Sequence, residues 1–390
     1  MLSIAPLHSQ STSYYFSGPE YSLKDTWLGA GARDLGLQGS VDPAKLDALF
    51  SGRSPVSHAE FENMTSRTRV VNYGYDAVFS APKSVSLLAL LGEPNLAQRT
   101  RQAHQDSVEK AFEFFESQIC CVRRASMGHT SYIRSNGVIA GQFSHCVTRA
   151  LDPHLHTHVV FPNLTRGEDN RWSAFNSAFI WASARTSGFL YQANLRHELT
   201  KQIGVEWRPL INGTSEINGI PRELLESFST RSKQIETFTA RTRVGKDENS
   251  SKSRRFAGFA TRTDKPPEFD LEQLAQTWTL KAESLGFSQR DIDSVLHRTD
   301  VPPISRRFEV QLAARVATSP QISRSEYTLY RSALNAACEI TSPGVDPACF
   351  ESAARSVVSS PLIRAERNRL VPNRKFIQLR STNNSIELGL

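Results

Sequence analysis

The stretch "LDPHLHTHVV" at residues 151–160 places three histidines, His154, His156 and His158, within five positions of a chain that has ten in all. Neutral imidazole is a common ligand for divalent transition metals. Residues two apart on a strand share a face, so His156 and His158 project together, and His154 adds a third imidazole one step nearer the turn. His145, in "GQFSHCVTR", lies eleven residues before His156. A hairpin turning near Leu151 and Asp152 then sets His145 opposite His158, and three imidazoles converge from adjacent strands. Three protein ligands with open positions is the arrangement of a catalytic metal. His154, beside Pro153 at the start of the strand, is the weaker ligand candidate. The alternative is a strand pair rich in imidazole that holds no metal.

A metal alone names no reaction. Either bound water attacks a carbonyl or phosphoester, or the ion polarises a phosphate while a side chain attacks, and that second route needs a nucleophile elsewhere. Three tyrosines, Tyr14, Tyr15 and Tyr21, fall in eight positions in "SYYFSGPEY". Tyrosine forms covalent intermediates when a base or cation assists, because the free phenol has a pKa of about 10. Adjacent tyrosines after a strand also serve simply as packing aromatics.

The elements that must position these residues show in the patterning. "MLSIAPL" predicts a first strand, and the β-branched and aromatic "VVNYGYDAVFS" (70–80) predicts another. "SAPKSVSLLALLG" predicts a helix with Ser80 as its cap, Pro82 in its first turn and Gly92 at its end. Residues 95–118 carry apolar side chains at helical spacing. "ICCVRRA", "GVIAGQFSHCV" and "LHTHVVFPNL" read as strands, and helices return around 176–203. The segment 241–265, with eight Lys/Arg against three Asp/Glu, reads as a basic mobile loop or linker. Strands followed by helices give an α+β fold around an antiparallel sheet, with a helix-leaning region beyond 267.

A net charge of +7 and a pI of about 9.2 fit a protein that meets polyanions. No charged n-region with a long apolar run opens the chain, and the apolar stretch at 85–92 is too short to span a bilayer. Five irregularly spaced cysteines make no disulfide framework. The expectation is a soluble, reduced, cytoplasmic protein.

Taken in order, "SYY", "DAVFSAPKSVSLLAL" and "GQFSHCVTRALDPHLHTHVV" closely resemble the relaxase domain of the TrwC/TraI type (MobF) in plasmid conjugation, a branch of the HUH endonuclease superfamily. The HUH element is His156-Thr157-His158, with Thr157 in the slot for a bulky residue. The match continues through "RWSAFNSAFI", "YQANLRHEL" and "FSTRSKQIETF" and fades beyond 290. The resemblance implies a relaxase domain over 1–295, with a palm-like antiparallel sheet flanked by helices. It leaves 296–390 as a mostly helical or irregular extension of unknown role. No GxxxxGK[ST] sequence occurs, so the helicase usually fused to this domain is expected to be missing.

The resemblance also implies a mechanism. Tyr14, first of the tyrosine pair, attacks a DNA phosphodiester at the nick site, leaving a 5′-phosphotyrosine and a free 3′-OH; later rejoining restores the strand. His145, His156 and His158 match the family's three metal ligands, for one divalent ion, Mg or Mn ahead of Zn or Ni. Asp76 matches the carboxylate that takes the tyrosine proton or orients a ligand histidine. Tyr15 and Tyr21 are the other tyrosine candidates, but Tyr21 lacks a paired neighbour and sits at altered spacing. Arg149 matches a basic position near the site and so contacts phosphate. Lys83, at the helix start, is a DNA-contact candidate that reads more simply as a solvated lysine. The segment 241–265 either closes over single-stranded DNA or is a solvated linker.

The implied partners are single-stranded or supercoiled origin-of-transfer DNA, accessory DNA-binding proteins, a type IV coupling ATPase and a separate helicase. The implied setting is a bacterial cytoplasm, with export while joined to DNA. Two other classes remain open: a metallohydrolase using metal-activated water, and a rolling-circle replication initiator or non-catalytic DNA-binding module on the same fold.

Overall fold

The computed structural model of the protein describes residues 1–8, 12–16, 22–61, 72–242, 257–258, 260–261, 270–321, 324–361 and 363. Tyr21, the side chain of Tyr14 and most of the basic segment 241–265 lie outside them.

Five strands form the central sheet: β1 (Leu2–Leu7), β2 (Ser22–Leu28), β3 (Gly74–Ser80), β6 (Ala140–Val147) and β7 (Pro153–Pro162). Their order is β1-β3-β7-β6-β2, and every neighbouring pair is antiparallel. Between β3 and β6 run α4 (Lys83–Leu91), α5 (Pro94–Ile119) and a separate ribbon of β4 (Cys121–Ser126) and β5 (His129–Arg134). The α+β architecture expected from the order of elements is therefore the one observed.

Strand alternation sorts side chains onto two faces. One face carries Tyr75, Ala77, Phe79, Leu155, Val159 and Phe161, all buried against α4, α5 and α6 (Ser177–Ile203). The other carries Phe143 and Val160 in a smaller core with Tyr15, Trp27, Leu46, Leu49 and Phe50. Asp76, His145, His156 and His158 share this second face, at the margin of that core. α5 forms where apolar residues recur at helical spacing, and it buries Ala103, Val108, Ala111, Phe112, Phe115 and Ile119.

Two expectations change. Ser80 ends β3 and does not cap α4. The amides of Lys83 and Ser84 instead donate to the Glu216 carboxylate, at 3.3 and 2.8 Å. A negative charge there also meets the positive end of the helix. Gly92 does close the helix, its amide reaching Leu88 O.

The turn between β6 and β7 is centred on Ala150. Thr148 N donates to Asp152 O at 2.9 Å, Leu151 takes a left-handed conformation with φ 58°, and a bulge interrupts the ladder between His145 and Val147. His145 consequently stands opposite His156, while His158 stands opposite Phe143. A shift of two residues preserves the face, so the three imidazoles still converge.

Beyond the sheet lie α7 (Arg222–Ser227), α8 (Thr230–Thr242), α9 (Leu271–Ser284) and α10 (Gln289–Ser294). They are followed by α11 (Phe308–Ala317), α12 (Glu326–Ile340) and α13 (Phe350–Val358). The last three build a core with Phe114, Phe189, Leu190 and Ala193 of α5 and α6. Among the described residues no helix is long and apolar enough to cross a membrane.

Candidate active site

His145, His156 and His158 each offer a ligand nitrogen, and these atoms lie within 4.8 Å of one another. Ring centroids are 5.5 Å apart for His145–His156, 5.1 Å for His145–His158 and 5.2 Å for His156–His158. His154 is stacked on His156 at 5.1 Å but stands outside the cluster.

The hydrogen bonds fix which nitrogens face inward. His158 Nδ1 lies 2.8 and 2.9 Å from the two Asp76 oxygens, and His156 Nδ1 lies 2.9 Å from the His154 carbonyl. Carboxylate and carbonyl oxygens accept, so both Nδ1 atoms carry the proton and both Nε2 lone pairs are left to bind a cation. Burial, reinforced by the neighbouring His158, pushes the His156 pKa down to about 4. Burial pushes His154 well below its usual range too. The uncharged state of His156 at neutral pH is the one that ligates metal. Three imidazole nitrogens at this spacing fit a three-ligand divalent site.

Asp76 joins this cluster to α1 (Ser13–Phe16). Tyr15 Oη donates to Asp76 Oδ2 at 3.1 Å. The Tyr15 ring, 6% exposed, stacks on Phe143 at 5.4 Å and meets His158 edge-on at 5.6 Å. Tyr14 is the adjacent residue of the same helical turn. The structure thus brings Tyr15, Asp76 and the three histidines together and sets the backbone of Tyr14 beside them.

Arg149 is half-buried in the turn that follows His145. Lys83 is not the freely solvated lysine its sequence context suggests. Its Nζ donates to Pro153 O at 2.7 Å, and burial lowers its pKa to about 8, opposed by Asp152 and Glu216.

Sequence reasoning passed over the residues that brace β7. Ser86 Oγ accepts from Leu155 N at 3.0 Å. Asp152, 5% exposed, accepts from Thr230 N at 2.8 Å and Thr230 Oγ1 at 3.1 Å, tying the hairpin turn to α8. Trp278 Nε1 donates to Leu151 O at 2.8 Å. The one local signal was serine at two positions inside the apolar run "SVSLLALL", where a hydroxyl has to find a partner.

A family profile described as TrwC relaxase matches residues 6–285. The multifunctional conjugation protein TraI of Escherichia coli is 32% identical over 293 residues, which is 73% of this chain and 16% of that protein. The conjugative relaxase TrwC, solved in complex with oriT DNA in a metal-bound form, is 31% identical with a TM-score of 0.66, over 74% of this chain and 100% of that one. TrwC complexed with a 27-mer DNA comprising the recognition hairpin and the cleavage site is 32% identical with a TM-score of 0.65, at the same coverage.

Proposed function

The chain belongs to the TrwC relaxase family, and from that premise we propose that it nicks one strand of an origin-of-transfer DNA by tyrosine attack and later rejoins it. The observation that carries this reading is the single sheet face shared by the histidine cluster, Asp76 and the tyrosine-bearing α1. A metallohydrolase would have no use for the last of these.

In this reading His145, His156 and His158 hold one divalent ion, Mg or Mn ahead of Zn or Ni. Such an ion, when bound, polarises the scissile phosphate and offsets charge in the transition state. The Tyr14 phenolic oxygen forms a bond to phosphorus while the bond to the 3′ oxygen breaks. The phenolic proton passes to a base, for which Asp76 is the candidate, and the departing 3′ oxygen takes up a proton. Energy of the phosphodiester is kept in the phosphotyrosine, so rejoining is the same step reversed.

Tyr15 is buried and its hydroxyl is committed to Asp76, which suits an anchor that presents its neighbour better than a group awaiting DNA. Arg149 supplies a phosphate contact, and the charge of 241–265 adds salt-dependent affinity for single strands. The relatives' role in conjugation extends the proposal to a bacterial cytoplasm, accessory DNA-binding proteins, a coupling ATPase and a helicase.

The second reading makes Tyr15 the nucleophile, because its oxygen already lies 3.1 Å from a possible base. Denaturing gels of protein mixed with single-stranded origin DNA and Mn²⁺ separate the two. Tyr14→Phe is expected to abolish the covalent adduct while Tyr15→Phe retains it. The reverse pattern moves the nucleophile to Tyr15, and cleavage without any adduct would favour metal-activated water.

A further inference from the structure

Directly behind the histidine cluster, on the opposite face of the sheet, five buried polar side chains join in sequence. Tyr191 Oη of α6 lies 2.7 Å from His104 Nδ1 of α5, and His104 Nε2 lies 2.8 Å from Thr157 Oγ1 of β7. Thr157 Oγ1 lies 3.0 Å from Ser144 Oγ of β6, and Ser144 donates to Gln105 Oε1 of α5 at 3.3 Å. None of these residues is more than 6% exposed.

The direction of the chain follows from counting protons. A hydroxyl has one to donate. Ser144 gives its proton to Gln105, so Thr157 must donate to Ser144. Thr157 must then accept from His104, which therefore carries its proton on Nε2 and accepts from Tyr191 at Nδ1. Gln105 Nε2 donates in turn to Glu109 at 2.7 Å, which fixes the amide's orientation. The chain runs Tyr191 to His104 to Thr157 to Ser144 to Gln105, with each link used once.

The position of the two hydroxyls matters more than their number. Thr157 lies between His156 and His158, Ser144 directly precedes His145, and the two face each other in the β6–β7 ladder. Each imidazole on the front therefore has a pinned hydroxyl as chain neighbour on the back. An apolar side chain at 157 would fill the space equally well, but it would hold β7 only by non-directional contact. The hydrogen-bond chain instead fixes both ligand strands against α5 and α6, in depth and along the strand.

We propose that Thr157 and Ser144, held by His104 and Tyr191, are positioning residues that set the spacing of the three imidazoles for a divalent cation. The proposal rests on the reading of His145, His156 and His158 as a metal site.

Co²⁺ titration tests it, because the visible d–d spectrum reports ligand geometry independently of DNA cleavage. Thr157→Val keeps the shape and removes the hydroxyl. It is expected to weaken Co²⁺ binding roughly 10-fold or more, as loss of groups that orient ligands commonly does, and to alter the spectrum while the far-ultraviolet circular dichroism stays that of the wild type. Thr157→Ser is expected to restore both. Ser144→Ala reports the same effect from the other strand should the valine variant fold poorly. Wild-type affinity and spectrum in both Thr157→Val and Ser144→Ala would overturn the proposal alone. Absence of Co²⁺ uptake by the wild type would overturn the metal reading, and the proposal with it.

Discussion

His158 donates through Nδ1 to Asp76, at 2.8 Å from Oδ1 and 2.9 Å from Oδ2, and that bond turns Nε2 toward His145 and His156. The same carboxylate accepts from Tyr15, so one side chain orients a ligand and secures α1. Asp76→Asn keeps the volume and removes the charge. It is expected to weaken binding of Mn²⁺ or Co²⁺ by roughly 10- to 100-fold. Adduct formation at saturating metal should slow by about 10²–10⁴-fold if Asp76 also takes the phenolic proton. Calorimetry measures the first effect and single-turnover gels the second. Unchanged values for both would remove Asp76 from the machinery.

The Glu216 cap on α4 is the second target. Glu216→Ala leaves the amides of Lys83 and Ser84 without their carboxylate, and urea unfolding should show a loss of about 1–2 kcal/mol. Ser80→Ala should cost far less, since its hydroxyl caps nothing. Equal effects in the two variants would contradict this assignment.

That contrast marks where the sequence is legible. The alternation of "HLHTHVV" and the helical spacing of 95–118 are local periodicities, and each sorted its residues onto the observed face. The α4 cap is not legible locally, because Ser80 and Pro82 form a plausible start while the true acceptor lies 132 residues after Ser84. The observed register differs by two residues from the expected one because "TRALDP" does not reveal which peptide centres the turn, and the bulge after His145 has no composition of its own. His104 reads as one more residue of an amphipathic helix, while its partners come from two other elements, α6 and β7. Long-range polar pairing leaves no period to read.

His104 also contributes to the pH dependence of stability in acid. Burial lowers its pKa from 6.5 to about 3, so the folded protein keeps it neutral while the unfolded chain protonates it below about pH 6.5. The unfolded state then binds the extra proton, and stability falls with pH by up to about 1.4 kcal/mol per unit from this group alone, down to about pH 3. His104→Gln supplies a donor and an acceptor without a titrating ring. Its urea-unfolding free energy should decline less steeply than the wild type's between pH 7 and pH 5. Parallel declines would mean that His104 titrates normally in the fold.

Gly74 tests how closely β3 and β7 must approach. A Cβ there would lie 2.4 Å from the Phe161 carbonyl oxygen and 2.5 Å from the Phe50 ring. The ring can tilt, but the carbonyl belongs to the β3–β7 ladder, in which Gly74 pairs with Pro162 and Val78 with His158. Gly74→Ala must therefore push β3 away from β7 two residues before Asp76, at a cost of about 1–3 kcal/mol. The displacement should carry Asp76 away from His158, so the variant is expected to melt earlier and also to bind Co²⁺ more weakly than its stability loss alone explains. Raising the temperature of the wild type until it has the same remaining stability provides the comparison. If affinity at matched stability is equal, the strand spacing serves the core and leaves the histidine cluster untouched.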